Sequence, residues 1–235
     1  MTSTQPTIEL TINYPLSTIN CYMIYLDSAS VNEAEIAVGL GWVKGITTNP
    51  TLLAKSNLSP EKTLQQLAKI SPGELYYQLM ASDFEGMIAE GKRAFEIIGQ
   101  QTVLKIPATN VGFKAVAALS AEINCSVTAI YSAAQAAVAK EAGAKYAITY
   151  VNRATRLLGD GLALVREMAA IVQGSQTKIL AASLKSPTEA AAALQAGADH
   201  ITVSLNLLEA MTLHELSEKT VADFANNGRG IDNEQ

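Results

Sequence analysis

The stretch CSVTAIYSAAQAAVAKEAGAKYAITYV, Cys125–Val151, holds in one phrase the pattern that sets the fold. Cys125–Ile130 is rich in β-branched residues and reads as a strand. Ser132–Ala142 is alanine-rich with helical periodicity and reads as a helix. Gly143 supplies the stop, since glycine enters the left-handed region without a Cβ penalty. Tyr146–Val151 then reads as a second strand. Two strands joined through a helix of this length form a βα unit and run parallel.

The same phrase recurs on both sides. Before it lie strand-like runs at Tyr22–Leu26, Val43–Thr47, Leu75–Met80 and Thr102–Ile106, and after it at Lys178–Ser183 and His200–Ser204. Helical runs fill the gaps at Val31–Leu40, Pro60–Ala68, Phe84–Ile98, Val111–Glu122, Leu162–Val172, Ser186–Gln195 and Leu205–Met211. Ser59-Pro60-Glu61 and Ser186-Pro187 with Glu189 are helix-start signals, and QAGADH repeats the glycine stop of EAGAKY. Eight strands, each followed by a helix, predict a single-domain (β/α)8 barrel, a common outcome near 250 residues. The alternative, a doubly wound open sheet, lacks a GxGxxG turn after any strand. Residues 1–22 stand outside the repeat; TIELTINY alternates like a strand, as an added edge element or an arm. Ser217–Gly230 reads as a closing helix with Val221, Phe224 and Ala225 on one face.

Composition narrows the function classes. The 235 residues are 49% hydrophobic and carry a net charge of −5, with lysines and arginines scattered. No basic block suggests nucleic acid, and no apolar run reaches the roughly 18 residues of a membrane span. Two cysteines without CxxC spacing argue against a disulfide framework and for a reducing cytoplasm. Two histidines are too few for a His-rich zinc site or for most His-driven acid–base schemes. The first twenty residues lack the pattern of a signal peptide.

In such a barrel chemistry sits at the C-terminal strand ends. Those ends offer Asp27, Thr47-Thr48-Asn49, Gln78, Lys105, Thr128, Tyr150 and Ser183 on seven successive strands. Each alone has a plainer reading: Asp27 as a helix cap, Asn49-Pro50 as a turn, Tyr150 as amphipathic core, Lys105 as a snorkelling strand-end lysine. Their convergence is the signal. A free lysine is neutral about once in 2,500 molecules at pH 7, and reaching half neutral costs roughly 4–5 kcal/mol of ammonium stabilisation. The apolar run TVLKIPAT around Lys105 supplies that desolvation. A neutral amine beside Asp and Tyr is suited to forming an imine with a ketone and moving protons around it.

The segments IYLDSAS, GITTNPTLL, QLMASDFEGM, VLKIPAT, TAIYSAAQA, YVNR and ILAASLKSP, in this order, resemble the small transaldolase family, which includes fructose-6-phosphate aldolase. The resemblance runs from about Met23 to Ala225, which makes residues 1–22 an N-terminal extension and 23–235 the barrel with its C-terminal helix. It implies a class I, metal-free enzyme without cofactor, acting on a sugar phosphate. By position, Lys105 would form the Schiff base and Asp27 would be the acid/base at the C4 hydroxyl. Thr48, Asn49 and Thr128 would position donor hydroxyls and a catalytic water. Arg153, Ser183 and Lys185 would bind phosphate, although Arg153 also reads as a surface cation and Lys185 as a helix-start charge. Family transaldolases of this size carry Glu and Phe where Gln78 and Tyr150 stand here. That pair points to the aldolase, cleaving fructose 6-phosphate to dihydroxyacetone and glyceraldehyde 3-phosphate. The alternative is a transaldolase of the pentose phosphate pathway, and a second is a catalytically silent barrel. ATRLLGDG after Arg153 and ITVSLN depart from the family pattern, by a thinner Gly-rich run and a missing proline. Relatives assemble as pentamers or decamers through a C-terminal helix, which implies a homo-oligomer.

Overall fold

The computed structural model describes residues 22–231. Strand and helix alternate from the start. β1 (Met23–Asp27) leads to α1 (Val31–Gly39), and β2 (Gly45–Thr47) to α2 (Pro50–Leu53) and α3 (Pro60–Ile70). β3 (Glu74–Gln78), α4 (Phe84–Ile98), β4 (Thr102–Pro107), α5 (Asn110–Leu119), β5 (Asn124–Ile130) and α6 (Ala133–Glu141) follow. After β6 (Tyr146–Tyr150) come α7 (Val151–Leu158) and α8 (Gly161–Val172), then β7 (Lys178–Ala182), α9 (Pro187–Gln195), β8 (His200–Val203), α10 (Leu205–Met211) and α11 (Glu215–Asn227). The strands pair in chain order, all parallel, and Met23↔His200 through Leu26↔Val203 closes β8 onto β1. The sheet is therefore a (β/α)8 barrel and not a doubly wound open sheet. Among the described residues no helix is long and apolar enough to cross a membrane.

Local chemistry explains why the elements start and stop where they do. Ser59 and Ser186 each accept a backbone N–H from the first helical turn, and the prolines after them occupy a position whose N–H has no intrahelical partner. Gly143 and Gly197 sit at φ +85° and +108°, where a Cβ would lie 2.7 Å from Ser120 Oγ and 2.8 Å from Ala169 Cβ. Both glycine stops thus carry a backbone and a packing requirement.

Strand alternation divides the core in two. Leu26, Ile46, Leu75, Leu104, Ile106, Ile179 and Ile201 face outward into the helix layer. Tyr25, Tyr76, Val103, Tyr146, Ile148 and Leu180 fill the barrel interior. Three phenols inside a barrel need acceptors, and one carboxylate serves them all. Glu74, at the N-terminal mouth, accepts from Tyr25 (2.8 Å), Tyr76 (3.2 Å) and Tyr146 (2.8 Å), and pairs with Lys145 at 2.7 Å. Burial pushes the Glu74 carboxyl up, but Lys145, Tyr146 and Tyr25 outweigh it and hold the group below its ordinary value. Gly45 is required here, since a Cβ would come within 2.9 Å of the Tyr25 ring.

Most elements depart from the sequence expectation by one to three residues at an end, and three of these departures carry a consequence. β1 begins one residue later than Tyr22–Leu26, which makes Asp27 the last strand residue and leaves the capping of α1 to Ser30. The sixth strand stops at Tyr150, and Val151, read as strand, opens α7 directly. That helix was not expected, because it has no capping side chain and buries only Val151 and Ala154, leaving Leu157 and Leu158 exposed. The closing helix runs Glu215–Asn227 instead of Ser217–Gly230, capped at its start by His214 Nδ1 accepting from Leu216 N. TIELTINY lies outside the described residues.

Candidate active site

The alternation that packs the barrel interior also builds the site, because on six of the strands the inward side chain two residues further along is polar, whereas on β7 Leu180 is followed by Ala182. Tyr25 leads to Asp27, Gly45 to Thr47, Tyr76 to Gln78, Val103 to Lys105, Ile148 to Tyr150 and His200 to Thr202. Lys105 is 3% exposed. Its ammonium nitrogen lies 3.2 Å from the Thr48 carbonyl, to which it donates. Burial pushes the Lys105 amine down, and the Asp27 carboxylate opposes that shift. Gln78 is the register partner of Lys105 on β3. Asp27 is held from the other side: its Oδ1 accepts from Thr47 Oγ1 at 2.9 Å, and Thr47 Oγ1 lies 2.6 Å from Thr202 Oγ1.

A second group forms around Tyr150. Its hydroxyl shares a 2.8 Å hydrogen bond with Thr128, and the Arg153 guanidinium lies 4.8 Å from its ring centroid. Burial pushes the Tyr150 phenol up; Thr128 and Arg153 pull it down, and Asp27 acts with burial. Thr128 reaches Tyr150 beside an irregularity in the sheet. Between Val127↔Ala147 and Ile130↔Thr149, β5 carries one more residue than β6, and Ala129 there adopts φ +60°. Such a bulge re-aims side chains.

The remaining candidates are placed less uniformly. Thr48 turns its buried hydroxyl to the Tyr76 carbonyl at 2.7 Å, so its backbone and not its side chain meets Lys105. Asn49 does cap α2, with Oδ1 accepting from Leu52 N, which leaves its amide N–H groups for other partners. Ser183 follows β7 at φ +59°, its carbonyl accepting from Asn152 N at 3.3 Å. Lys185 lies just before α9; its backbone N–H donates to Glu189, which also accepts from Asn152. No recorded side-chain contact ties Ser183 or Lys185 to Lys105 or Tyr150.

Thr202, and the role of Thr47 beneath Asp27, escaped the sequence reading. The signal was available: Thr202 is the inward polar residue two places after His200 on the eighth strand, where the count of polar strand ends had stopped at seven. Glu189, which ties α7 to the loop before α9, was read only as a helix-start residue. His200 opens β8 at the opposite mouth and accepts the Met23 N–H, and His214 caps α11, so neither imidazole is at this site. Burial pushes the Cys125 thiol up to about 12, away from nucleophilic use. Cavities also open off this ring. One of about 510 Å3 borders it at Ser28 and Leu52, with Lys55 and Gln66 across. A larger one of about 830 Å3 opens at the N-terminal mouth around Glu74, Lys145 and Lys178, on the far side of the tyrosine layer from Lys105.

The family described as Transaldolase/Fructose-6-phosphate aldolase matches residues 24–234. A probable transaldolase of Kosmotoga olearia is 36% identical over 207 residues, covering 87% of this chain and 94% of its own. One from Desulfitobacterium hafniense is 38% identical over 202 residues, covering 85% and 94%. One from Hydrogenobaculum sp. is 35% identical over 212 residues, covering 89% and 97%. Among solved structures, a mandelate oxidase mutant superposes with a TM-score of 0.56 at 17% identity, covering 79% of this chain and 64% of that one; this likeness shows the fold alone. On the family match and the extent of these relatives, the chain belongs to the transaldolase/fructose-6-phosphate aldolase family.

Proposed function

We propose that this enzyme is a Schiff-base transaldolase that moves a dihydroxyacetone unit between sugar phosphates, with Lys105 as the imine-forming amine. The observation that carries the reading is Lys105 itself, an amine enclosed at the head of β4, pushed toward its neutral form by burial and facing an acceptor carboxylate. Neutral Lys105 Nζ attacks the C2 ketone of a ketose phosphate, and loss of water gives the imine. Asp27 takes the C4 hydroxyl proton, the C3–C4 bond breaks, and its electrons flow into the imine to leave an enamine. The aldose phosphate departs, a second aldehyde enters, and the steps run in reverse with Asp27 returning the proton. Asn49 and Thr128 orient donor hydroxyls, while Arg153, Ser183 and Lys185 hold the phosphate.

The names of the relatives favour transfer over the aldolase expectation. The lyase reading keeps one specific observation in its favour. In that reading Gln78 and Tyr150 hold a water while the enamine is protonated to the imine, and that water then adds to the imine carbon to release dihydroxyacetone; the 2.8 Å bond between the Thr128 and Tyr150 hydroxyls supports it. Product analysis from fructose 6-phosphate separates the two. Transfer predicts that glyceraldehyde 3-phosphate and a seven-carbon ketose phosphate form only when erythrose 4-phosphate is present. Dihydroxyacetone accumulating equally without the acceptor would establish the lyase instead.

Assembly belongs to the same reading. Every residue of α11 is exposed in the single chain, with Leu216, Val221 and Phe224 at 61–69% exposure. Such an apolar face suits a neighbouring subunit of a pentamer or decamer. A native mass equal to one 24.9 kDa chain would rule the oligomer out.

A further inference from the structure

We propose that Thr47 and Thr202 are positioning residues: a two-hydroxyl chain that locks Asp27 Oδ1 and leaves Oδ2 to receive the substrate proton. This rests on the acid/base role of Asp27 proposed above. Thr47 is the register partner of Asp27 on β2, and Thr202 partners Tyr25 on β8. The two threonines therefore flank β1 from opposite sides, and their hydroxyls meet on the inner face. Both side chains are buried, at 0% and 2% exposure.

The chain has one direction only. An ionised carboxylate accepts and cannot donate, so the single hydroxyl proton of Thr47 goes to Asp27 Oδ1. Thr47 must then accept from Thr202 across their 2.6 Å contact. Neither hydroxyl has rotational freedom left, and among the described residues no hydrogen bond is recorded to Asp27 Oδ2. A proton arriving on Oδ2 disturbs neither bond, so the support needs no reorganisation during the cycle. Valine would fill the same two places without burying polar atoms. The hydroxyls are therefore explained by what they hold, not by packing.

The charged and titratable groups facing Asp27 are Lys105 from β4 and Tyr150 from β6, with Arg153 of α7 behind the Tyr150 ring. α10, which packs on β1, adds only the exposed Glu209, and α1 adds Glu33, bonded to Ser28. None of these is altered by changing either threonine.

The test compares Thr47→Val, Thr47→Ser, Thr202→Val and Asp27→Asn. For Thr47→Val we expect kcat to fall about 10- to 100-fold with KM within about threefold, since misplacing a catalytic group costs this much. A donor to a carboxylate favours its ionised form, so losing it moves the acidic limb of the kcat/KM profile to higher pH. Borohydride trapping of dihydroxyacetone at Lys105 stays at the wild-type level. Thr47→Ser restores kcat to within about threefold, and Thr202→Val gives a smaller change in the same direction. Should Thr47→Val fail to fold, Thr202→Val carries the test, because it leaves the bond to Asp27 in place. Valine variants with the wild-type kcat and limb overturn the proposal, as does a loss of stability and trapping together with no movement of the limb. Failure of the underlying reading looks different: Asp27→Asn with full turnover, or a wild-type enzyme that traps nothing.

Discussion

The Asp27 carboxylate acts on the Lys105 amine through space, and that effect has a sign that can be measured. Burial lowers the Lys105 amine and the Asp27 carboxylate raises it, because an anion nearby favours the ammonium. Replacing Asp27 with Asn removes the opposing effect. In Asp27→Asn the pH at which dihydroxyacetone can be trapped as an imine should therefore move down, while cleavage of fructose 6-phosphate is lost. Trapping profiles from pH 5 to 10 read this directly; an upward shift would show that Asp27 does not face the amine. At this scale the sequence was informative where a residue broke its surroundings. A lysine within an apolar strand was visible at once. Thr202 was not, since a threonine in a β-branched strand matches its neighbours and only its partner, 155 positions away, gives it meaning.

Bulge, cap and glycine stop shape the elements that carry these residues. Ala129 sits at φ +60° inside β5, where an L side chain is disfavoured by roughly 1–2 kcal/mol. The distortion coincides with the strand end that presents Thr128 to Tyr150. Ala129→Gly should stabilise the fold by about 0.5–1 kcal/mol, less than the full strain because glycine also gains freedom when unfolded. Ala129→Val should destabilise it by at least about 1 kcal/mol. Urea denaturation checks both, and a stabilising valine would contradict the strained conformation. The serine caps and the glycines of EAGAKY and QAGADH were legible because their chemistry is local. The bulge and α7 were not: the first is a mismatch between two strands, and the second buries too narrow a stripe to be told from a loop.

Over the whole barrel, one carboxylate at the N-terminal mouth holds the interior together. Glu74 takes three phenols and an ammonium, so losing its charge leaves Lys145 unpaired and the phenols competing for one amide oxygen. Glu74→Gln should cost about 2–4 kcal/mol at pH 7. Its folded carboxyl is held below the ordinary value, so its contribution is present above the unfolded pKa and is lost as pH falls through the folded one. The wild type should thus lose stability on acidification below about pH 5 more steeply than Glu74→Gln. Equal slopes in acid titrations monitored by circular dichroism would remove Glu74 from that role. Eight strands in order were readable from periodicity alone, whereas this tyrosine layer needed the closed barrel to bring β1, β3 and β6 around one carboxylate.

The claim on which the mechanism depends is that Lys105 forms an imine with the donor ketone. Borohydride reduction in the presence of fructose 6-phosphate or dihydroxyacetone, followed by peptide mass analysis, tests it most directly. The expected result is a three-carbon adduct on Lys105 after cleavage, absent in Lys105→Met. An adduct on another lysine, or no adduct while turnover proceeds, would contradict it.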